Sequence, residues 1–229
     1  MSDYRYEIKF SLEELGYAKA KQWLYINTSA KKKFDNRYVN SLYFDNPRYS
    51  SIKDNIAGIS DREKYRLRWY DPLGPKKSLI PPCFEKKIRK GRLGRKESTP
   101  LNQLNSKFKV QTIKQIGIHL RAELNKNQIF FDDFYSPIIA VKYLREYFED
   151  NKGLRITFDS EIEFIYVDGM TSKIADCPKL FNQKYVMELK FDIGLKEHAS
   201  KVLKNLNMSP TRHSKYLMGL SKFSSVLYV

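Results

Sequence analysis

The residues of this chain best suited to chemistry are cations recurring at every second position. Arg62, Lys64, Arg66 and Arg68 form one such run, and Glu85, Lys87 and Arg89 form another. Arg5, Glu7 and Lys9 open the chain in the same rhythm, and Glu188, Lys190 and Asp192 repeat it near the end. In a β-strand, residues i and i+2 share a face, so each run gathers its charges on one surface. Arginine grips phosphate through a planar fork of donors and stays ionised, while lysine adds a mobile point charge. A phosphate-rich ligand suits such surfaces. Other chemistry is thin. His119, His198 and His213 lie far apart and show no H-E-x-x-H or H-x-E spacing, so surface or packing roles are expected for them. Cys83 and Cys177 lack C-x-x-C spacing, which argues against zinc or redox chemistry and fits a reducing cytoplasm. Gly74-Pro75-Lys76-Lys77-Ser78 does not satisfy the phosphate-loop pattern and reads as a turn.

Hydrophobic periodicity predicts the elements that must position these residues. Alternation predicts strands over 4–10, 39–45, 62–70, 83–90, 138–148, 154–164 and 185–192. Ser11 reads as a helix N-cap with Glu14 in the first turn, and the helix runs to about residue 25. Lys31-Lys32-Lys33 reads as a basic loop. A short helix over 49–56 ends at Gly58, and a long helical insert over about 101–126 is interrupted by Gly117. Gly91 to Lys96 reads as a basic, solvated hairpin loop from which Lys96 could reach a phosphate. Two short helices, about 195–205 and 214–223, close the chain. No internal repeat or composition shift marks a boundary, so residues 1–229 read as a single domain.

The polar faces of these strands carry a consistent message. Arg155, Thr157, Asp159, Glu161 and Glu163 oppose Leu154, Ile156, Phe158, Ile162 and Phe164. Tyr65, Leu67 and Trp69 back the arginines of 62–68. For one strand, an ordinary half-exposed antiparallel sheet explains this well. It explains less when every strand repeats the habit with Lys and Arg and a carboxylate two residues away. If the sheet closes on itself, the charged faces line a lumen and helices cover the apolar outside. Such a lumen is self-repulsive when empty and makes physical sense if it holds a polyanion.

The net charge of +16 agrees with an anionic partner. No stretch approaches the roughly 20 apolar residues needed to cross a bilayer, and the charged N-terminus does not read as a secretory signal. A cytoplasmic location is the expectation.

Taken together, several segments resemble a known family. Ser41-Leu42-Tyr43-Phe44-Asp45, followed by Lys64-x-Arg66-x-Arg68-Trp69-Tyr70, resembles the early strands of VTC domains, the polyphosphate polymerase domains of the vacuolar transporter chaperones. Glu85-x-Lys87, Tyr143-x-Arg145, Arg155-Ile156-Thr157-x-Asp159, Glu188-Leu189-Lys190-Phe191 and Ser214-Lys215-Tyr216 follow in order over nearly the whole chain. The resemblance implies an α+β fold: a closed antiparallel β-barrel of about eight strands, the triphosphate tunnel, related to the CYTH enzymes. Helices pack outside it, with a C-terminal helix near the tunnel. It also implies ATP as substrate, inorganic polyphosphate as product, and a divalent metal, manganese being typical and magnesium the alternative. By matching position, Arg66, Arg68, Lys87, Arg145 and Arg155 would carry the phosphoryl chemistry. Lys9, Lys64, Arg89, Tyr143, Lys190, Ser214 and Lys215 would contact substrate, with Ser214 and Lys215 reaching in from the terminal helix. Glu188 matches the metal-binding carboxylate. The nucleophile would be a terminal oxygen of the growing polymer, so no protein nucleophile is required.

The chain departs from its relatives in two ways. Eukaryotic members carry an SPX domain and membrane helices that are not found here, and a membrane-protein partner stays open. The CYTH enzymes show E-x-E-x-K in the first strand, where this chain has Arg5-x-Glu7-x-Lys9. That favours the polymerase branch and puts a metal role for Glu7 in doubt. A tunnel-fold triphosphatase or polyphosphatase is the nearest alternative, with Asp159, Glu161 and Glu163 converging on a metal that activates water. A non-catalytic module that binds a polyanion, RNA or polyphosphate, is the other. Nucleic acid is not the expected partner, because strand aromatics alternate onto the face opposite the arginines, whereas stacking platforms need both on one surface.

Overall fold

The computed structural model describes residues 4–74, 80–102, 104, 110–167 and 171–223. Its strands are β1 (Arg5–Leu12), β2 (Lys31–Asp45), β3 (Arg62–Pro72), β4 (Cys83–Lys90), β5 (Leu93–Pro100), β6 (Ser136–Glu149), β7 (Arg155–Tyr166), β8 (Lys179–Asn182) and β9 (Tyr185–Asp192). Its helices are α1 (Glu14–Asn27), α2 (Ser50–Ile56), α3 (Ile113–Lys126), α4 (Lys196–Leu203) and α5 (Lys215–Phe223). Eight strands follow one another in the order β6-β2-β3-β4-β5-β1-β9-β7, and β7 pairs back onto β6. The sheet is therefore a closed antiparallel barrel, as the strand faces required. β8 is the ninth strand and lies outside, against the second half of β7. No helix among the described residues is long and apolar enough to cross a membrane.

Alternation distributes the core as expected over most of the wall. Phe10, Leu12, Ile156, Phe158, Met187 and Leu189 point outward and are covered by Ala20, Trp23 and Leu24 of α1 and Ala199 of α4. Leu42, Phe44, Leu67, Trp69 and Phe84 point outward beneath Ile116, Leu120 and Leu124 of α3. The third cluster differs. Val39, Tyr43, Ile139, Val141, Ile162 and Phe164 share the lumenal side of the wall at one end of the barrel, where Tyr216 and Leu220 of α5 fill the space. The Tyr216 ring stacks on Tyr43 with centroids 5.0 Å apart, and its hydroxyl donates to Asp45 Oδ2 at 2.8 Å. Asp45 also accepts the Ser51 and Ile52 N–H groups of α2. Thus α5 plugs the barrel end and α2 holds the plug.

Several expectations about elements are corrected. Lys31–Lys33 is not a loop but the start of β2, because Lys31 and Lys32 pair with Glu149 and Phe148 of β6. The segment after Gly91 is not a loop either. Gly91, at φ 56, turns the chain so that Leu93 pairs with Lys90, and β5 continues to Pro100. Ser11 remains in β1, and α1 starts after Glu13. Of the helix expected from residue 101, positions 103 and 105–109 lie outside the described residues; among those described, the helix is found over 113–126, and Gly117 does not interrupt it. It starts where Thr112 and Gln115 form a capping box, each side chain accepting the other's backbone N–H. β8 was not foreseen, being four residues long. Of the Gly74–Ser78 turn, only Gly74 lies among the described residues.

Two irregularities matter for the site. β1 pairs with β5 only through Arg5–Gly94 and Tyr6–Leu93. Beyond that seam the chain before α5 takes over the free edge: the Thr211 N–H donates to the Lys9 carbonyl at 2.7 Å, and the Ser11 N–H donates to Thr211 Oγ1 at 2.9 Å. In β7, Glu161 adopts φ 50 and one extra residue intervenes between the Leu144–Ser160 and Lys142–Glu163 pairs. This bulge exchanges the two faces of the strand.

Gly219 shows how closely the plug fits. A methyl group there would lie 2.6 Å from Ile139 Cδ1 and 2.7 Å from Phe164 Cδ1, whereas nothing lies within 4 Å of one on Gly117 of α3. Both substitutions by alanine gain helix propensity of up to about 1 kcal/mol. In urea titrations Gly117→Ala is expected to stabilise the protein by up to that amount. Gly219→Ala is expected to destabilise it by about 1–2 kcal/mol, because overpacking outweighs the propensity gain.

Candidate functional site

The lumenal faces of the strands converge on one network of charge. From β3 and β4, Arg66 reaches Glu85 Oε2 at 2.6 Å, and Arg68 lies 3.8 Å from the same oxygen. Lys96 of β5 holds Oε1 of Glu85 at 2.6 Å. Arg68 also donates to Ser41 Oγ and to the Tyr143 hydroxyl, and Arg66 donates to the Tyr43 hydroxyl at 3.2 Å. On the other side of the barrel, Glu188 Oε1 takes Lys9 at 2.8 Å, while Oε2 takes Lys190 at 2.8 Å and Arg145 at 3.4 Å. Glu7 is clasped by Lys87 at 2.7 Å and Lys9 at 3.3 Å. Arg145 grips Asp159 with two nitrogens, and Lys215 at the head of α5 holds Asp159 Oδ2 as well. Lys64 Nζ donates to Ser214 Oγ at 3.1 Å, and the same hydroxyl accepts the Leu217 N–H of α5.

Four carboxylates (Glu7, Glu85, Asp159, Glu188) thus stand among nine cations (Lys9, Lys64, Arg66, Arg68, Lys87, Lys96, Arg145, Lys190, Lys215), an excess of five positive charges. The environment shifts their ionisation accordingly. Burial disfavours the charged carboxylates, but Lys87, Lys9 and Lys190 offset it and hold Glu7 well below the ordinary range. Arg66, Arg68 and Lys96 do the same for Glu85, and Lys190, Lys9 and Arg145 for Glu188. The cations without a full share of carboxylate move the other way. Burial, with Lys87 and Lys9 nearby, pushes Lys64 down to about 7. Burial also lowers Lys215, although Asp159 opposes the change.

Most residues expected from the sequence meet in this network: Lys9, Lys64, Arg66, Arg68, Lys87, Tyr143, Arg145, Glu188, Lys190, Ser214 and Lys215. Two stand apart. Arg155 lies at the start of β7 near Arg5, Glu149 and Asp192, without an ion pair among the described residues. Arg89 donates to the Gly91 carbonyl at 2.9 Å and neighbours Arg62. The proposed convergence of Glu161 and Glu163 with Asp159 is wrong. The bulge turns both outward, where Glu161 accepts from the Tyr38 hydroxyl and Glu163 faces Lys142 and Lys179 at about 4 Å. His213 is not a surface residue. It is 8% exposed, and burial together with Lys215 and Lys9 pushes it down to about 3. Sequence reasoning left Glu7, Tyr43 and Ser41 out of the substrate and metal set and gave Asp159 a part only in the hydrolase alternative, although the two-residue rhythm had placed Glu7 and Asp159 on the charged face.

Metal binding can be tested on these side chains. Among the described residues no three His, Cys, Asp or Glu side chains converge to hold an ion by themselves. Glu188 presents two oxygens already clasped by cations, and Glu7 Oε1 nearby is buried with no hydrogen bond beyond its longer ion pairs to Lys9 and Lys190 at 3.3 and 3.7 Å. One or two carboxylates fit a hard divalent cation that takes its remaining ligands from substrate phosphates and water. The residues suit a metal that arrives with the triphosphate.

Comparison with known proteins agrees with the barrel. The family model described as VTC domain matches residues 4–224. Among solved structures, the fold is similar to HpAC1 of Hippeastrum, a candidate adenylyl cyclase described as having a dominant triphosphatase activity. The TM-score is 0.56 at 13% identity, covering 96% of each chain. A candidate adenylate cyclase of Vibrio parahaemolyticus gives 0.51 at 16% identity, over 96% of this chain and 99% of that one. Protein PH1819 of Pyrococcus horikoshii OT3 gives 0.53 at 13% identity, over 95% and 99%. No curated protein sequence matches.

Two outcomes follow from the network. Between pH 7 and the ordinary lysine value near 10.5, Lys64 binds fewer protons folded than unfolded, so stability rises with pH across that window. Thermal unfolding of the ligand-free protein should show a steeper rise over pH 7–10 than that of Lys64→Met. Asp159→Asn leaves Arg145 and Lys215 buried without their shared counter-charge and should cost about 3–5 kcal/mol. Added inorganic triphosphate should restore part of the loss in a denaturant titration.

Proposed function

Given that the chain belongs to the VTC domain family, we propose that it is a metal-dependent phosphotransferase that uses ATP to extend inorganic polyphosphate inside its tunnel. The observation that carries this reading is the excess of five cationic residues over carboxylates inside a closed barrel, where three arginine forks stand among six lysines. Phosphoryl transfer asks the protein chiefly to position the phosphates and neutralise developing charge. Arg66, Arg68, Arg145 and Lys87 are held in place by Glu85, Asp159 and Glu7 before any ligand arrives, so they need little reorganisation to grip a triphosphate. Lys9, Lys64, Lys190, Tyr143, Ser214 and Lys215 extend the grip around the ring, and Arg155 and Arg89 supply charge farther out along the barrel. Glu188, with Glu7 beside it, would hold a manganese or magnesium ion, which would supply positive charge to offset the charge developing on the phosphates and the leaving group. No side chain needs to act as nucleophile, since the terminal oxygen of the polymer can attack the γ-phosphorus in line.

A second reading, hydrolysis of triphosphate, is favoured by the triphosphatase activity described for the Hippeastrum protein, whose fold is similar. The outward turn of Glu161 and Glu163 counts against it, because it leaves fewer carboxylates to organise a metal-bound water. Incubating the purified protein with manganese and ATP separates the two readings. Long-chain polyphosphate on a gel supports the polymerase, and orthophosphate without chain growth supports the hydrolase. Arg66→Ala and Glu188→Gln should each lower turnover by about 100-fold or more while the protein stays folded. Unchanged turnover in Arg66→Ala would sink the assignment of the arginine ring.

A further inference from the structure

Away from α5, the charged ring gives way to a patch of different chemistry. Tyr70 follows Arg68 by two residues on β3, Tyr147 follows Arg145 by two on β6, and Arg37 of β2 is the cross-strand partner of Arg145. All three therefore continue the lumenal side. By plain alternation Phe34 would face away from Arg37. A bulge intervenes, with three residues of β2 from Phe34 to Arg37 spanning two of β6, and it sets Phe34 directly opposite Tyr147. The two rings meet edge to face at 5.6 Å and 89°. The Arg37 guanidinium lies 4.2 Å from the Tyr70 centroid, 4.9 Å from Tyr147 and 5.5 Å from Phe34. Its Nε donates to the Tyr147 hydroxyl at 3.2 Å. Among the described residues no carboxylate pairs with Arg37, and the Phe34 residue is 51% exposed.

A lone exposed phenylalanine needs no explanation. One carried by a bulge onto the arginine side, beside a guanidinium already packed on tyrosines and one strand repeat beyond a phosphate grip, does. We propose that this patch is a nucleobase-stacking subsite. The base of a nucleoside triphosphate lies on the open face of Phe34 against Arg37 and Tyr147, and the triphosphate runs inward to Arg145 and Arg68. Two residues along a strand span roughly 6.6 Å, the reach of a ribose between base and first phosphate. Stacking reads the π-face and not the hydrogen-bonding edge, so the site takes any base and favours the larger purines. The inference rests on the reading of the lumen as the site of an ATP-dependent phosphotransferase, and it adds which residues hold the base of the donor.

Equilibrium binding to the full chain tests it without turnover, using the non-hydrolysable β,γ-imido analogue of ATP and inorganic tripolyphosphate as paired probes. If tripolyphosphate does not bind, the phosphate-handling reading itself fails. If it binds, the ratio of nucleotide to tripolyphosphate affinity isolates the base. That ratio should fall about ten-fold in Phe34→Ala and recover in Phe34→Trp, whose added indole fluorescence should be quenched by the nucleotide and not by tripolyphosphate. A ratio unchanged in Phe34→Ala, or an indole quenched equally by both probes, overturns the subsite.

Discussion

Like charges confined in a closed tube repel, and the architecture of this protein answers that constraint. Each of the four lumenal carboxylates is shared by two or more cations, so the repulsion is divided without being cancelled. Sharing of this kind does not earn much net stability, since desolvating an ion pair costs about as much as the attraction returns. It does fix geometry. Arg66, Arg68 and Arg145 are each held by a carboxylate, a hydroxyl or both, which sets their forks at fixed angles around the cavity.

Asp159 has a second role in the same network. It binds Arg145 in the barrel wall and Lys215 at the head of α5 through one buried carboxylate. Below that point Tyr216 stacks on Tyr43 and reaches Asp45, which in turn receives α2. Charge above and aromatic packing below thus fasten one helix into the barrel end. This is why the wall residues nearest α5 are apolar on the lumenal side, in reverse of the rule that governs the rest of the tunnel.

The barrel and most of its lining were legible because alternation is a strong signal wherever a strand runs straight. Arg66 and Arg68, Glu85 and Lys87, and Glu188 and Lys190 all fell where the two-residue rhythm put them. Two of the failures share one physical origin. A bulge adds a residue without disturbing the spacing of letters, so Asp159, Glu161 and Glu163 look equivalent in sequence although the last two point outward. The same event at Phe34 concealed an aromatic ring on the arginine side. Lys96 was half-seen because β5 is polar throughout and carries no apolar stripe to announce a strand. His213 takes the packing side of its expected role, and no local pattern reports which side that would be, because the irregular segment before α5 runs along the edge of β1.

That last segment has a consequence for how the protein is made. The first strand finds most of its partners far along the chain: β9 along one edge, and on the other Thr211 at Lys9 and Ser11, with β5 meeting it only at Arg5 and Tyr6. On a ribosome, the nascent chain can assemble the β2-β3-β4-β5 meander early. β1 must wait, unpaired and half-charged, until β9 and Thr211 have been made. Contacts of such long sequence separation form slowly and leave exposed edges meanwhile. Vectorial synthesis therefore delivers an open trough first, and the cationic channel exists only after the last helix has been released and locked home.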